Sequence, residues 1–222
     1  MTNLTSFFNC SFETEINEYL QILNVTFPIE KVLDYVHLLI NTPIEEFLNW
    51  LKSHSFFTLE SKDMPQLSKF EDAFYNVVHK MIANGDKGFR FVEIGEMLQS
   101  DGKQRKDGAN RKYGENHAKA AEYLGYLYTK KFYYFVSCYG YIESYLSEEE
   151  KIALFIRLLI RTNLFKAVYF SYLNGKVELR YIFDFLSDKT YIRRVHSTRQ
   201  ILNVLKLCKD FSFDDILNKI VY

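Results

Sequence analysis

Apolar residues recur at helical spacing through most of this chain. Val32, Tyr35, Val36 and Leu39 follow Pro28 at intervals of one, three and four, so a helix is predicted to start at that proline. Thr42, Pro43 and Glu45 fit the N-cap, N1 and N3 positions of the next one. Phe70, Phe74, Val77, Val78 and Met81 mark another, closed by Asn84 and Gly85, which take the left-handed C-terminal conformation readily. An extended piece at Gly88–Val92 leads into a helical stretch at Glu93–Gln99, then a polar loop from Ser100 to Gly114. From Glu115 to about Tyr128 a helical wheel puts Glu115, Lys119, Glu122 and Tyr126 on one face and His117, Ala120, Leu124 and Leu127 on the other. Lys131–Ser137, aromatic and β-branched, reads as a strand.

The last third is helical again. Ser147 and Glu150 form a capping box ahead of an apolar helix running to about Leu173, where Asn174 and Gly175 stop it. Val177–Leu186 is a second helix candidate, Ser187–Thr190 a turn, and Tyr191–His196 a short basic helical piece. Ser197 with Gln200 caps a final helix, with Arg199, Asn203 and Lys206 on one face and Ile201, Val204, Leu205 and Cys208 on the other. The order helix, strand, helix, basic loop, helix, strand is that of a winged helix, which carries its third helix into a DNA major groove. The expected fold is therefore mainly α: a helical N-terminal segment at 1–60, a winged helix (a helix-turn-helix with a small β-wing) at 61–146, and a second helix-turn-helix unit at 147–222.

Composition adds the electrical picture. The 222 residues carry 28 basic and 28 acidic side chains, so the net charge is silent about partners while its distribution is not. Residues 1–60 carry a net of −6, residues 101–131 a net of +4, residues 132–150 a net of −4 and residues 151–222 a net of +7. Aromatic residues make up 17% of the chain, enough to exclude disorder over most of it. Cys10, Cys138 and Cys208 are odd in number and widely separated, so neither a disulfide framework nor a zinc site is expected. That usage, with an N-terminus lacking a signal-peptide pattern, leads to the expectation of a reducing, cytoplasmic setting. Ile152–Phe170 is interrupted by Arg157, Arg161 and Lys166, so a buried helix is expected and no membrane partner.

Two basic clusters carry the candidate chemistry. In the first, Lys103, Arg105, Lys106, Arg111, Lys112, Lys119, Lys130 and Lys131 alternate with Asn110, Tyr113, Asn116 and Tyr123. Phosphates call for cationic donors, and base edges for Asn, Gln or Arg presented by a helix. The second cluster is Lys189, Arg193, Arg194, His196, Arg199 and Lys206, with Arg193 and Arg194 as the expected phosphate clamp. The plainer alternatives are a solvated surface loop and a helical face that docks on the acidic first third. Phe132–Phe135 could stack single-stranded bases, although strand residues packing under a helix explain them more simply.

The runs YGENHAKAAEYLGYLYTKKFYYFVSCYG (113–140), LSEEEKIALFIRLLIRTNLF (146–165) and TYIRRVHSTRQILNVLKL (190–207) resemble the tandem winged-helix regions of type II restriction endonucleases and restriction-associated proteins. The similarity spans about residues 85–210. It implies a double-stranded DNA partner, possible dimerisation or a protein partner, no cofactor, and DNA-facing roles for Asn116, Lys119, Tyr123, Arg193, Arg194 and Arg199. The chain departs from the pattern in having Leu202 and Leu205 where aromatic residues are expected. A nuclease centre of this kind needs clustered carboxylates and a lysine. The chain offers Asp86 with Asp101-Gly102-Lys103, and Glu149-Glu150-Lys151, neither on expected strands. His117-Ala118-Lys119 lacks the partner aspartate of an HxK nuclease, and His117 belongs to the apolar face. The leading expectation is a sequence-specific DNA-binding recognition component without a catalytic centre of its own. A metal-dependent endonuclease and a protein-interaction scaffold are the alternatives.

Overall fold

The computed structural model describes residues 4–23, 27–54, 56–67, 69–70, 72–85, 87–99 and 107–222. In chain order its elements are α1 (Leu4–Phe8), α2 (Ser11–Leu23), α3 (Ile29–Asn41), α4 (Ile44–Ser53), α5 (Val77–Ala83), α6 (Phe91–Leu98) and α7 (Asp107–Tyr123). Strands β1 (Leu127–Lys130) and β2 (Tyr133–Val136) and helices α8 (Cys138–Ile142), α9 (Glu148–Arg161) and α10 (Asn163–Leu173) follow. The chain ends with β3 (Val177–Glu178), α11 (Leu179–Ile182), α12 (Asp188–Asn203), α13 (Asp214–Asn218) and β4 (Ile220–Val221). The protein is thus mainly helical, and among the described residues no helix is long and apolar enough to cross a membrane.

Two compact units divide the chain, and their boundaries differ from the three expected segments. The first combines residues 1–60, 142–187 and 202–222. Its core is aromatic: Phe7, Phe47, Phe155, Phe165 and Phe213 are fully buried, with edge-on contacts of 5.5 Å between Phe7 and Phe47 and 5.9 Å between Phe165 and Phe213. The Ser147–Glu150 capping box is present, with the Ser147 amide donating to Glu150 Oε2 at 2.8 Å. The long apolar helix, however, is two helices. Thr162 ends α9 and caps α10: its hydroxyl donates to the Leu159 carbonyl at 2.7 Å and accepts from the Phe165 amide at 3.2 Å. Thr42 does not cap α4, since its hydroxyl donates back to Leu38 instead and Pro43 occupies the cap position. The helix expected at Val177–Leu186 is instead β3 and the short α11, because Val177 pairs in parallel with Ile220 of β4.

The second unit combines residues 61–141 and 188–201. Helices α5, α6 and α7 pack together, and β1 and β2 form an antiparallel hairpin with Leu127 opposite Val136 and Lys130 opposite Tyr133. Of the extended Gly88–Val92 piece, only Phe89 pairs: it exchanges two 2.9 Å backbone bonds with Tyr134, and Phe91 already starts α6. Gly125, at φ 86°, turns the chain out of α7 into β1. That turn breaks the helical phase, which is why Tyr126 is buried and not on the polar face the wheel predicts. Asp188–Asn203 is one continuous helix, not a turn and two pieces. Ser197 sits inside it, its buried hydroxyl accepting from the Leu67 amide and donating to the Leu67 carbonyl, both at 3.1 Å. The basic stretch 188–201 therefore belongs to the same unit as α7, and not to a separate helix-turn-helix domain at 147–222.

Candidate nucleic-acid interface

Within the second unit, the outward face of α7 forms one wall of a groove of about 630 Å³. Lys112, Asn116, Lys119 and Tyr123 lie on that wall at helical intervals, and Arg193 and Arg194 of α12 line the groove with them. The segment before α5 contributes Lys62, Pro65 and Gln66. Five of the lining residues are cationic and two, Glu115 and Glu122, are anionic. The volume lies in the range of ligand clefts, and the surplus is positive.

The cations are held in different ways. Lys119 donates to Glu115 at 2.7 Å and Lys112 to the same carboxylate at 3.2 Å. Lys119, and then Lys112, hold the Glu115 carboxyl below its usual range against the opposing effect of burial. Arg194 is half-buried, and its Nη1 donates to the Ser61 hydroxyl at 2.8 Å, to the Met64 carbonyl at 3.1 Å and to the Ser61 carbonyl. No carboxylate is among these partners, and the buried Nε–H is without a partner among the described residues. Burial first, and the neighbouring Arg193 second, hold the Arg194 guanidinium below its ordinary value. It stays a cation at neutral pH all the same, because arginine starts so high. Arg193 is exposed beside it. Two adjacent guanidiniums, one partly desolvated and bonded only to neutral oxygens, give this wall a positive potential that the structure does not cancel locally.

The structure thus gathers Lys112, Asn116, Lys119, Tyr123, Arg193 and Arg194 into one groove. Other expected site residues lie elsewhere. Asn110 is buried and accepts from Gln99 Nε2, so it is packed between helices instead of facing a ligand. Arg111, Lys130 and Arg199 are exposed but do not line the groove. Lys103, Arg105 and Lys106 lie outside the described residues, as do Asp86, Asp101 and Gly102. The expected polar loop to Gly114 is helical from Asp107 onward. Glu149 and Glu150 serve Lys209, at 2.6 Å, and the Ser147 cap, and Lys151 bonds Glu148 at 2.7 Å. Among the described residues no three His, Cys, Asp or Glu side chains gather as a metal ion would require. Lys62, Gln66, Glu115 and Glu122 were not foreseen as lining. The acids had a signal in the wheel, which set them on the face of Lys119, whereas Lys62 and Gln66 arrive only through long-range packing.

His117 is a core histidine. It is fully buried, bonds the Tyr113 carbonyl through Nδ1 at 2.7 Å and accepts the Lys69 amide at Nε2 at 3.4 Å. Tyr113 in turn donates to Asp72 at 2.5 Å. Burial holds the imidazole below its ordinary 6.5, outweighing the Tyr113 carbonyl and the Asp72 charge, both of which favour the cation. The neutral ring's contribution is therefore complete above about pH 6.5 and is lost as pH falls through the depressed folded value. Denaturation midpoints are expected to fall between pH 7 and pH 5, and His117→Gln is expected to flatten that fall. An equally steep fall in the variant would assign it to other groups.

No family model matches the chain, nor does any curated protein or any solved structure.

Proposed function

We propose that this protein binds double-stranded DNA sequence-specifically through the second unit, as the recognition component of a restriction-type system. The observation that carries the reading is the groove shared by α7 and α12, where Arg193 and Arg194 present a positive potential with no bonded carboxylate among the described residues. A second support is element order: α5, the Phe89–Tyr134 bridge, α6, α7 and the β1–β2 hairpin follow the winged-helix sequence. In this reading α7 enters the major groove. Asn116 offers the amide that pairs with adenine, Lys119 a donor for guanine, and the cationic lining takes the phosphates of the adjoining backbone. The resemblance of residues 85–210 to restriction-associated regions supports the biological assignment.

Fluorescence anisotropy with labelled mixed-sequence duplexes across a salt series tests the reading. Affinity is expected to fall log-linearly with salt, with a slope of about −3 to −5 if the groove neutralises three to five phosphates. No binding at low salt, or binding without a slope, contradicts it.

A further inference from the structure

We propose that a groove in the first unit, walled by α4, α10 and the chain entering α13, docks an arginine-bearing segment of a protein partner. Glu45 and Asp215 pair with its guanidiniums, and Tyr172 and Phe211 stack on them. This groove belongs to a different unit from α7 and α12, so the proposal does not rest on duplex binding.

Helical spacing builds two of the walls. Glu45, Leu48 and Lys52 recur at intervals of three and four along one face of α4, and Tyr169, Tyr172 and Leu173 do so along α10. Phe211 and Asp215 stand on the third wall of a groove of about 390 Å³. Leu48 and Tyr169 are buried, while Tyr172 and Phe211 stay partly exposed with their rings held from behind. Tyr169 stacks on Tyr172 at 6.5 Å, and Phe213 meets Phe211 edge-on at 4.8 Å.

The fold leaves the carboxylates of this groove unused. Elsewhere in the first unit acids are taken up by cations: Glu15 by Lys31, Glu149 by Lys209, Asp210 by Arg157 and Glu13 by Arg161. Glu45 and Asp215 are exposed on different walls, and neither has an ion-pair or hydrogen-bond partner among the described residues. Glu46 and Asp214 are exposed beside them at the same two helix starts, whereas Lys52 is the single cation among the described lining residues. The fold itself seats a cation on the aromatic wall, since the Lys219 ammonium lies 4.6 Å from the centre of the Tyr172 ring.

Unpaired carboxylates next to open aromatic faces complement arginine best, because its planar guanidinium lies on a ring while forking onto a carboxylate. Carboxylates on separate walls call for two cations spaced along one chain, which an extended peptide supplies from alternate residues.

Anisotropy of fluorescein-labelled Gly-Arg-Gly-Arg-Gly, titrated at low salt with the full chain, tests the proposal against the same peptide carrying uncharged citrulline in place of arginine. The wild type is expected to bind the arginine peptide about tenfold more tightly than the citrulline peptide, and Glu45→Gln with Asp215→Asn to lose about tenfold. Lys52→Gln is expected to tighten binding about threefold, and Glu30→Gln, on α3, to leave it unchanged, all at wild-type melting temperature. No binding, equal affinity for both peptides, or equal affinity of all these proteins overturns the proposal and leaves the α7–α12 reading intact. Dimerisation of the wild type in sedimentation equilibrium that the double variant loses assigns the groove to a second copy of the chain and overturns it as well.

Discussion

Arg157→Ala is expected to destabilise the first unit by about 3 to 5 kcal/mol, the range for removing one side of a buried polar network. Arg157 is 1% exposed, the largest fully buried side chain among the described residues. Its guanidinium donates to the carbonyls of Leu39 at 3.1 Å, Ile40 at 2.8 Å and Thr42 at 3.1 Å, gathering the end of α3 and the turn into α4. It also bonds Asp210 at 2.7 Å, tying in the segment after α12. Asp210 is 44% exposed on its side chain, so most of the expected loss comes from carbonyls left without donors and from the cavity, and less from the broken ion pair. Arg157→Met, which keeps packing volume but supplies no donors, is expected to fall between wild type and Arg157→Ala. Urea denaturation of the three proteins measures this, and a loss below about 1 kcal/mol for the alanine variant contradicts the network's role.

Gly114→Ala is the second large effect, at about 3 kcal/mol of destabilisation, the upper range of core overpacking. Helices α6 and α7 meet backbone to backbone, and a Cβ on Gly114 would run into the Phe91 carbonyl oxygen and the Gly95 amide. Neither obstacle is the movable end of a side chain, so the helices must separate. Gly95 faces the same contact from the other side, against the backbone of Asn110. Gly108, in the same helix, has open space around its would-be Cβ. Gly108→Ala should therefore stabilise by about 0.5 kcal/mol through helix propensity alone. If Gly114→Ala stabilises in the same way, α6 and α7 do not cross as closely as described. Because α7 supplies one groove wall, the Gly114 variant should also lose duplex affinity.

The features that sequence revealed are those whose causes are local. The Ser147–Glu150 box, the stop at Asn174–Gly175 and the burial of His117, Ala120 and Leu124 depend on neighbours within a turn or two. Misreadings arose where a distant partner claimed the local signal. Ser197 with Gln200 has the spacing of a cap, yet the Ser197 hydroxyl is taken by Leu67, 130 residues away, and the helix runs straight through it. Thr162 interrupts an unbroken apolar periodicity with a single hydroxyl, a signal too small for the wheel to show. Asn110 looked like a polar loop residue because nothing in its neighbourhood announces that Gly95 and Gly114 bring two helices into backbone contact around it. The chemistry of the groove was legible as two basic clusters. Their convergence was not, since it depends on bonds from Arg194 and Ser197 to residues 61–67.

The most direct test of the shared groove compares salt slopes of duplex binding for substitutions in its two helices. Lys112→Gln in α7 and Arg193→Gln in α12 are each expected to weaken binding to every duplex and to reduce the slope by about one, while Lys52→Gln in the first unit leaves it unchanged. Equal slopes for all four proteins would contradict the claim that α7 and α12 hold one polyanion between them.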